Sequence, residues 1–126
     1  MDSYQEHHAI ETYKSLIVVS IEALRTLLLL NGGALVALGT LVGSRTIPAP
    51  RLLCSSLFFV GGLVAAGVAF FGSYAVQLTL YNEAMGTLAQ GRHGWVLWAT
   101  IAIGLFSLTL FGLGAVAAIV ALATLA

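Results

Sequence analysis

The segment Leu52–Leu80 reads LLCSSLFFVGGLVAAGVAFFGSYAVQLTL, and none of its 29 residues is charged. A second uncharged segment, Trp95–Ala126, is 32 residues long, and a third apolar run, Leu16–Gly43, contains one acidic and one basic side chain. About 20 apolar residues cross a hydrocarbon core of about 30 Å, so each run crosses once and none is long enough to cross twice. The sequence therefore predicts three transmembrane helices.

The composition of the whole chain agrees with a membrane protein. Of its 126 residues, 60% are hydrophobic and 8% are charged, and the mean hydropathy is +1.01. Soluble domains have about 45–50% apolar and about 25% charged residues, so this chain has too few charges to cover a soluble globule. Five Lys and Arg residues balance five Asp and Glu residues, which leaves no basic surface for nucleic acid. We expect the lipid bilayer as a partner and no nucleic acid.

We predict an all-α fold, an integral membrane bundle of three transmembrane helices that forms a single domain over residues 1–126. Helices 1 and 2 are expected to extend beyond the bilayer on the N-terminal side. The predicted helices cover about 3–43, 52–90 and 95–124. Pro48 and Pro50 forbid a continuous helix in the first connection, and Gly91 and Gly94 close the second. A mostly polar segment of fifteen residues precedes the first apolar run, which does not suit a cleavable signal peptide.

The first helix carries an apolar stripe near its N-terminus. Its members recur at spacings of three or four, as on one face of an amphipathic helix: Ile10, Tyr13, Ile17, Ile21, Leu24 and Leu28. Such a stripe must bury against something, and the extension of helix 2 offers little apolar surface. We therefore expect self-association to cover part of it.

The basic residues give a weak signal for orientation. Lys14, Arg25 and Arg92 lie on one side of the membrane, and Arg45 and Arg51 lie on the other. Three against two favours a cytoplasmic N-terminus in a multi-pass protein of the cell (inner) membrane. Trp95 and Trp98 are predicted as interface anchors, since tryptophan is enriched at the level of the headgroups.

Glycines are frequent in the predicted helices. Small residues let membrane helices approach closely, so these positions are candidates for helix packing, within the bundle or between copies. The glycines selected are Gly32, Gly33, Gly39, Gly43, Gly61 and Gly62.

A few polar residues of helix 1 are candidates for lining a pore or for contacting another helix. Asn31 lies within the hydrocarbon core, where an amide without hydrogen bonds costs on the order of 2 kcal/mol or more. It should therefore bond to a neighbouring helix or face water in a pore. Glu22 and Arg25 are expected at the interface, as a local ion pair or as a charged pore vestibule, and Thr26 follows them.

Catalytic and metal-binding patterns are not found in the sequence. It contains no paired core carboxylates, no HExxH motif and no glycine-rich phosphate loop, so we expect no enzyme, no catalytic residue and no cofactor. Cys54 is the single cysteine, which excludes an internal disulfide and a cysteine-based zinc site. His7 and Glu11 form half of a metal site at helical spacing, and the favoured interpretation is a solvated helix face without metal.

The segment Ser20–Gly43, SIEALRTLLLLNGGALVALGTLVG, contains the pattern EALRxLLLxNGGA. It resembles the first helix of a scattered group of small, functionally uncharacterised bacterial membrane proteins. The resemblance covers about a fifth of the chain. It implies a bacterial source and three helices, and it brings no assigned activity.

Two functional hypotheses follow from these features. The first is a self-associating inner-membrane protein that forms a homo-oligomeric pore or channel lined by helix 1. The alternative is a non-catalytic structural or regulatory subunit that docks onto a larger membrane-protein partner. A discrete homo-oligomer favours the pore, and a monomer that co-purifies with another protein favours the subunit.

Overall fold

The computed structural model describes residues 3–44 and 48–124; within them, the side chains of residues 3–10 and 12–14 lie outside the description. The described chain forms three α-helices: α1 (Ser3–Gly43), α2 (Ala49–Ala84) and α3 (Arg92–Ala123). Each helix contains a segment long and apolar enough to cross a membrane. The predicted all-α fold with three transmembrane helices is thereby confirmed.

The first two helices are much longer than a bilayer requires. α1 has 41 residues and α2 has 36. At about 1.5 Å per residue they measure roughly 60 Å and 54 Å, against a hydrocarbon core of about 30 Å. In α1 the apolar segment begins only at Ser15.

The predicted bounds of α2 and α3 need correction. α2 begins at Ala49 rather than residue 52, because Pro48 is the extended N-cap residue and Pro50 occupies the first turn, where proline is tolerated. It ends at Ala84 rather than residue 90, so Gln90 is not helical, and Gly86 follows with a left-handed φ of 73°. α3 begins at Arg92 rather than residue 95, directly after Gly91, whose φ is 91°.

α2 and α3 form the most extensive helix pair, and they run antiparallel. The buried positions of α2 recur mostly at spacings of three and four: Leu52, Ser55, Phe59, Gly62, Ala65, Ala66, Ala69 and Val76. Those of α3 follow the same repeat: Thr100, Gly104, Ser107 and Gly114. A repeat of 3.5 residues is typical of left-handed coiled-coil packing, and the small side chains let the two backbones approach closely.

α1 packs mainly on α2 and touches α3 less. Its buried residues, Leu24, Asn31 and Leu38, recur every seven residues on one face. Leu38 belongs to the core cluster with Leu52 and Phe59. The face of α1 that packs in the bundle is therefore defined by these three buried positions.

The apolar stripe of α1 lies on the side that packs against the bundle. Leu24 is buried, Ile17 and Leu28 are half-buried, and Ile21 is 41% exposed. Leu24 needs no second copy to cover it, because its side chain is buried against Gly104 of α3. Ile17, Ile21 and Leu28 keep part of their surface exposed, so self-association over these residues stays a prediction. The side chains of Ile10 and Tyr13 lie outside the described ones.

Candidate functional site

Asn31 joins all three helices at the centre of the bundle. Its side chain is fully buried, and its Nδ2 donates to the Leu27 carbonyl oxygen at 3.0 Å and to the Ser107 hydroxyl of α3 at 3.4 Å. The Ser107 hydroxyl in turn donates to the carbonyl oxygen of Gly62 in α2 at 2.7 Å. A chain of two hydrogen bonds thus runs from α1 through α3 to α2.

Gly62 provides the space that the Asn31 amide occupies. A Cβ at position 62 would lie 2.7 Å from Asn31 Cγ and in still closer contact with Asn31 Oδ1. That oxygen is buried and has no hydrogen-bond partner among the described residues. The amide therefore fits only where α2 carries a glycine.

These contacts decide between the two roles considered for Asn31. The residue is a helix-contact residue inside one copy of the chain, and it has no exposed surface with which to line a pore between copies. Any pathway through an oligomer must use other residues.

Two more pairs of small or polar residues pack α2 against α3. Near one end, the Ser55 hydroxyl donates to the Gly114 carbonyl oxygen at 2.7 Å. Near the other end, a Cβ at Gly72 would lie 3.2 Å from Thr100 Cγ2, so the threonine packs directly on the glycine. Together with the contact between Gly62 and Ser107, these pairs repeat along the interface of α2 and α3.

The opposite side of α1 carries both charged residues of its apolar segment Ser15–Gly43, together with the polar Thr26. We define the outward face as Glu22, Arg25, Thr26, Leu29, Gly33 and Val36, all of which are exposed. Glu22, Leu29 and Val36 each precede a buried residue of α1 by two positions, which is about 200° around a helix. The outward face thus points away from α2 and α3.

Glu22 and Arg25 form a loose ion pair on this face. Arg25 Nη1 and Glu22 Oε1 are 3.8 Å apart, and the two side chains are 70% and 63% exposed, respectively. The Thr26 hydroxyl donates to the Glu22 carbonyl oxygen at 2.8 Å. The local ion pair anticipated from the sequence is present, and it leaves both charged groups accessible.

The helix contacts also give the depth of this ion pair. Asn31 packs on Gly62, and α1 and α2 run antiparallel, so Glu22, nine residues before Asn31, lies near the level of Gly72. Gly72 packs on Thr100, which follows Trp98 by two residues, or about 3 Å. Trp98 and Trp95 are 70% and 78% exposed, as an interfacial anchor requires. Glu22 thus lies about one turn from the predicted interface, and Arg25 lies deeper.

The six selected glycines divide into two groups. Gly32, Gly61 and Gly62 face neighbouring side chains within the bundle. A Cβ at Gly33, Gly39 or Gly43 would meet no described atom within 4 Å, so these three glycines have no packing neighbour among the described residues. Gly33, Gly39 and Gly43 can therefore act in helix packing only through a partner other than the described residues.

Glu83 caps the start of α3. Its carboxylate accepts the backbone N–H of Gly91 at 3.2 Å and that of His93 at 2.7 Å, and the His93 Nδ1 lies 2.7 Å from Oε2. These bonds satisfy N–H groups that the first turn of a helix leaves without partners. A cavity of about 390 Å³ opens beside this end, lined by Thr79, Leu88, Arg92, Trp95 and Val96.

The described residues contain no group of three or more His, Cys, Asp or Glu side chains that could hold a metal ion. The side chain of His7, one half of the pair considered above, lies outside the described residues. Cys54 is exposed on α2 with a free thiol.

Sequence reasoning missed Ser107, the α3 partner of Asn31, and the residues that make the other contacts between helix segments. Ser55, Ser107, Thr100 and Glu83 were not selected, although serine and threonine in apolar helices are typical interhelical contacts. The signal was a spacing of seven residues between a serine and a glycine in each helix. Ser55 and Gly62 of α2 lie opposite Gly114 and Ser107 of α3, respectively.

Comparisons with known proteins identify no relative. No family model matches the chain, and neither the curated proteins nor the solved structures include a significant match. The resemblance of Ser20–Gly43 to a group of small bacterial membrane proteins thus stays a prediction. The chain is described by its fold, a three-span membrane protein with a polar contact at the centre of the bundle and a polar outward face on α1.

Proposed function

We propose that the protein forms a homo-oligomeric pore in the cell (inner) membrane, in which the outward faces of α1 from several copies surround a central path. The observation that carries the proposal is the direction of Glu22, Arg25 and Thr26, which point away from the bundle. In a single copy these polar groups would face the lipid or its headgroups, where ionisable residues are costly. In a ring of copies they would face water.

The packing of one copy favours a pathway between copies over one within a copy. Asn31, Gly62 and Ser107 bring the three helices into direct contact at mid-length, and Leu38, Leu52 and Phe59 fill the next level. We therefore place the path between copies, which makes the oligomer essential to the proposal.

The apolar members of the outward face give the proposed pore a constriction. Leu29 and Val36 are 67% and 68% exposed and lie one and three turns deeper than Arg25. Rings of such side chains gate channels by expelling water from a narrow path. Gly33 lies between them and lets neighbouring helices approach closely. A polar mouth at Glu22, Arg25 and Thr26 and an apolar constriction at Leu29 and Val36 are the parts of a gated channel. Such a channel needs no cofactor or catalytic group.

A pair of glycine substitutions tests the proposal in liposomes. Gly33→Leu and Gly112→Leu both add a side chain to an exposed glycine, and in either case the new Cβ meets no described atom within 4 Å. We expect the full-length wild type to release K⁺ from liposomes, Gly33→Leu to lower this flux by about tenfold, and Gly112→Leu to leave it unchanged, because an added side chain narrows only the face that lines the path.

Three results contradict the pore. If liposomes that contain the wild type release K⁺ no faster than protein-free liposomes, the protein does not conduct K⁺. If Gly33→Leu and the wild type give equal K⁺ flux, the outward face of α1 does not line the path. A chain that stays monomeric in lipid and co-purifies with another membrane protein supports the alternative, a non-catalytic subunit that docks through the same outward face.

A further inference from the structure

Building on the proposed pore, we infer that neighbouring copies associate through an ion pair between Glu22 of one copy and Arg25 of the next. Such pairs, repeated around the assembly, form a ring of alternating charges at the mouth of the path. The inferred partner of the outward face is thus a second copy of this chain in parallel orientation.

The first support is the state of the two side chains within one copy. Their separation of 3.8 Å lies near the upper limit for an ion pair, and each side chain is about two-thirds exposed. Exposed pairs at helical spacing contribute little to stability. Both groups therefore retain donor and acceptor capacity for a second partner, and the described residues supply none.

The second support is the position of the two charges on opposite flanks of the outward face. Viewed along α1, Leu29 lies between them: Arg25 is about 40° to one side and Glu22 is about 20° to the other. A ring of identical helices joins one flank of each copy to the other flank of its neighbour. That arrangement brings the basic flank of one copy against the acidic flank of the next.

The third support is depth. Arg25 follows Glu22 by three positions, so the charges differ by about 4.5 Å along the axis in parallel copies, a distance that these long side chains bridge. In antiparallel copies the two pairs would lie near opposite membrane surfaces. The charge pattern thus complements itself only when the copies insert in the same direction.

The effect of such a contact is larger here than on a soluble surface. Arg25 lies deeper than the level of Trp98, so helix and lipid border one side of the contact even where the other side faces the water of the mouth. The surroundings are therefore less polar on average than bulk water, and opposite charges attract more strongly. Like charges placed in the same contact repel for the same reason. The outward face can therefore select a second copy over a neutral helix.

A mixing experiment separates the contact between copies from the local ion pair. Glu22→Lys gives a copy with two positive charges on the face, and Arg25→Glu gives a copy with two negative charges. Neither variant has an opposite charge on the outward face of its own chain or of an identical neighbour. A mixture of the two restores opposite charges only between copies.

Cross-linking through one introduced cysteine provides the measurement. In full-length chains with Cys54→Ala, the substitution Leu29→Cys places a thiol on the midline of the outward face, and tags of two sizes distinguish mixed from identical products. We expect disulfide-linked dimers to fall about tenfold for either charge variant alone, and the mixture to recover mixed dimers to within about twofold of wild type. Arg51→Glu, an exposed charge reversal at the far end of the bundle, should match the wild type.

The outcomes separate this contact from the pore itself. If wild-type chains cross-link and the mixture does not recover, the ion pair between copies is wrong and the pore stands. If single charge variants cross-link as well as the wild type, the ion pair is likewise wrong. If the wild type yields no dimers in lipid, both the contact and the homo-oligomeric pore fail. Circular dichroism of each variant shows whether its helices are retained.

Discussion

At the scale of single residues, Gly62 is the described glycine where an added Cβ would come closest to another side chain, the amide of Asn31. Asn31 is fully buried, and its Oδ1 has no hydrogen-bond partner among the described residues, yet its Nδ2 serves two oxygens. Buried polar groups in a membrane are retained where they determine which helices meet and in what register. The amide accordingly fixes α1 at the height where α2 carries Gly62.

Gly62→Ala is expected to destabilise the bundle by about 1–3 kcal/mol, because the added methyl group must displace a buried, hydrogen-bonded amide. Gly67→Ala is the matched control, since a Cβ there meets no described atom within 4 Å. It should be neutral or stabilising by up to about 1 kcal/mol through helix propensity. The free energy of unfolding in mixed micelles, measured by SDS titration, provides the comparison.

A double variant tests the physical reason for this prediction. Asn31→Ala removes the group that the methyl would strike, so adding Gly62→Ala to Asn31→Ala should cost less than Gly62→Ala costs in the wild type. Additive effects of the two substitutions would show that the clash is not the cause.

At the scale of single elements, the connection between α2 and α3 is built around one carboxylate. Glu83 lies in the last turn of α2 and accepts two backbone N–H groups at the start of α3. Gly86 and Gly91 supply the left-handed conformations that the turn requires. The end of one helix thus caps the beginning of the next, which explains why α2 ends before the predicted residue 90.

Glu83→Ala should raise the hydrogen-exchange rate of the His93 amide by about tenfold, because this N–H loses its acceptor at 2.7 Å and is released to water. Glu83→Gln keeps one acceptor oxygen and should give a smaller increase. Gln90→Ala removes a neighbouring exposed side chain and serves as the control. Equal exchange at His93 in Glu83→Ala and wild type would contradict the cap.

At the scale of the whole molecule, the three helices are not equally attached. α2 and α3 meet along their length through Ser55, Gly62 and Gly72, whereas α1 is held mainly on α2 and reaches α3 less. α1 is also the helix that presents charges away from the bundle. The least attached helix is therefore the one that we propose to meet other copies.

Asn31→Leu is expected to loosen α1 while leaving the α2–α3 pair intact, because it removes the amide that bonds to Ser107. Spin labels at Val36 and Leu105, each replaced by cysteine in a Cys54→Ala chain, report the α1–α3 distance in micelles. Their distance distribution should broaden, and that of labels at Val64 and Leu105 should not.

A second polar deletion provides the control for this measurement. Thr109→Val removes an exposed hydroxyl of α3 that bonds only to the Leu105 carbonyl of its own helix, at 3.0 Å among the described contacts. It should leave both distributions unchanged. Broadening of the Val64–Leu105 distances by Asn31→Leu would show that α1 is needed to hold α2 and α3 together.

Much of the fold follows from the local composition of the chain. The three apolar runs, two of them uncharged, determine three membrane-crossing helices, because the cost of exposing backbone and charge to lipid depends on residue type and length alone. Pro48 and Pro50 determine the first break for an equally local reason. The presence of Asn31 in an apolar helix likewise required a contact or water.

The tertiary structure decided that Asn31 makes a contact between helices rather than facing water. It also decided in which direction each face of α1 points. The depth at which α1 packs on α2 places Asn31 against Gly62 and Ser107, residues 31 and 76 positions away in the chain. That packing also turns Glu22 and Arg25 outward and leaves Gly33 without a neighbour in one copy. Helical periodicity shows only which residues share a face. Whether that face meets helix or membrane depends on contacts between distant segments, which no local pattern contains.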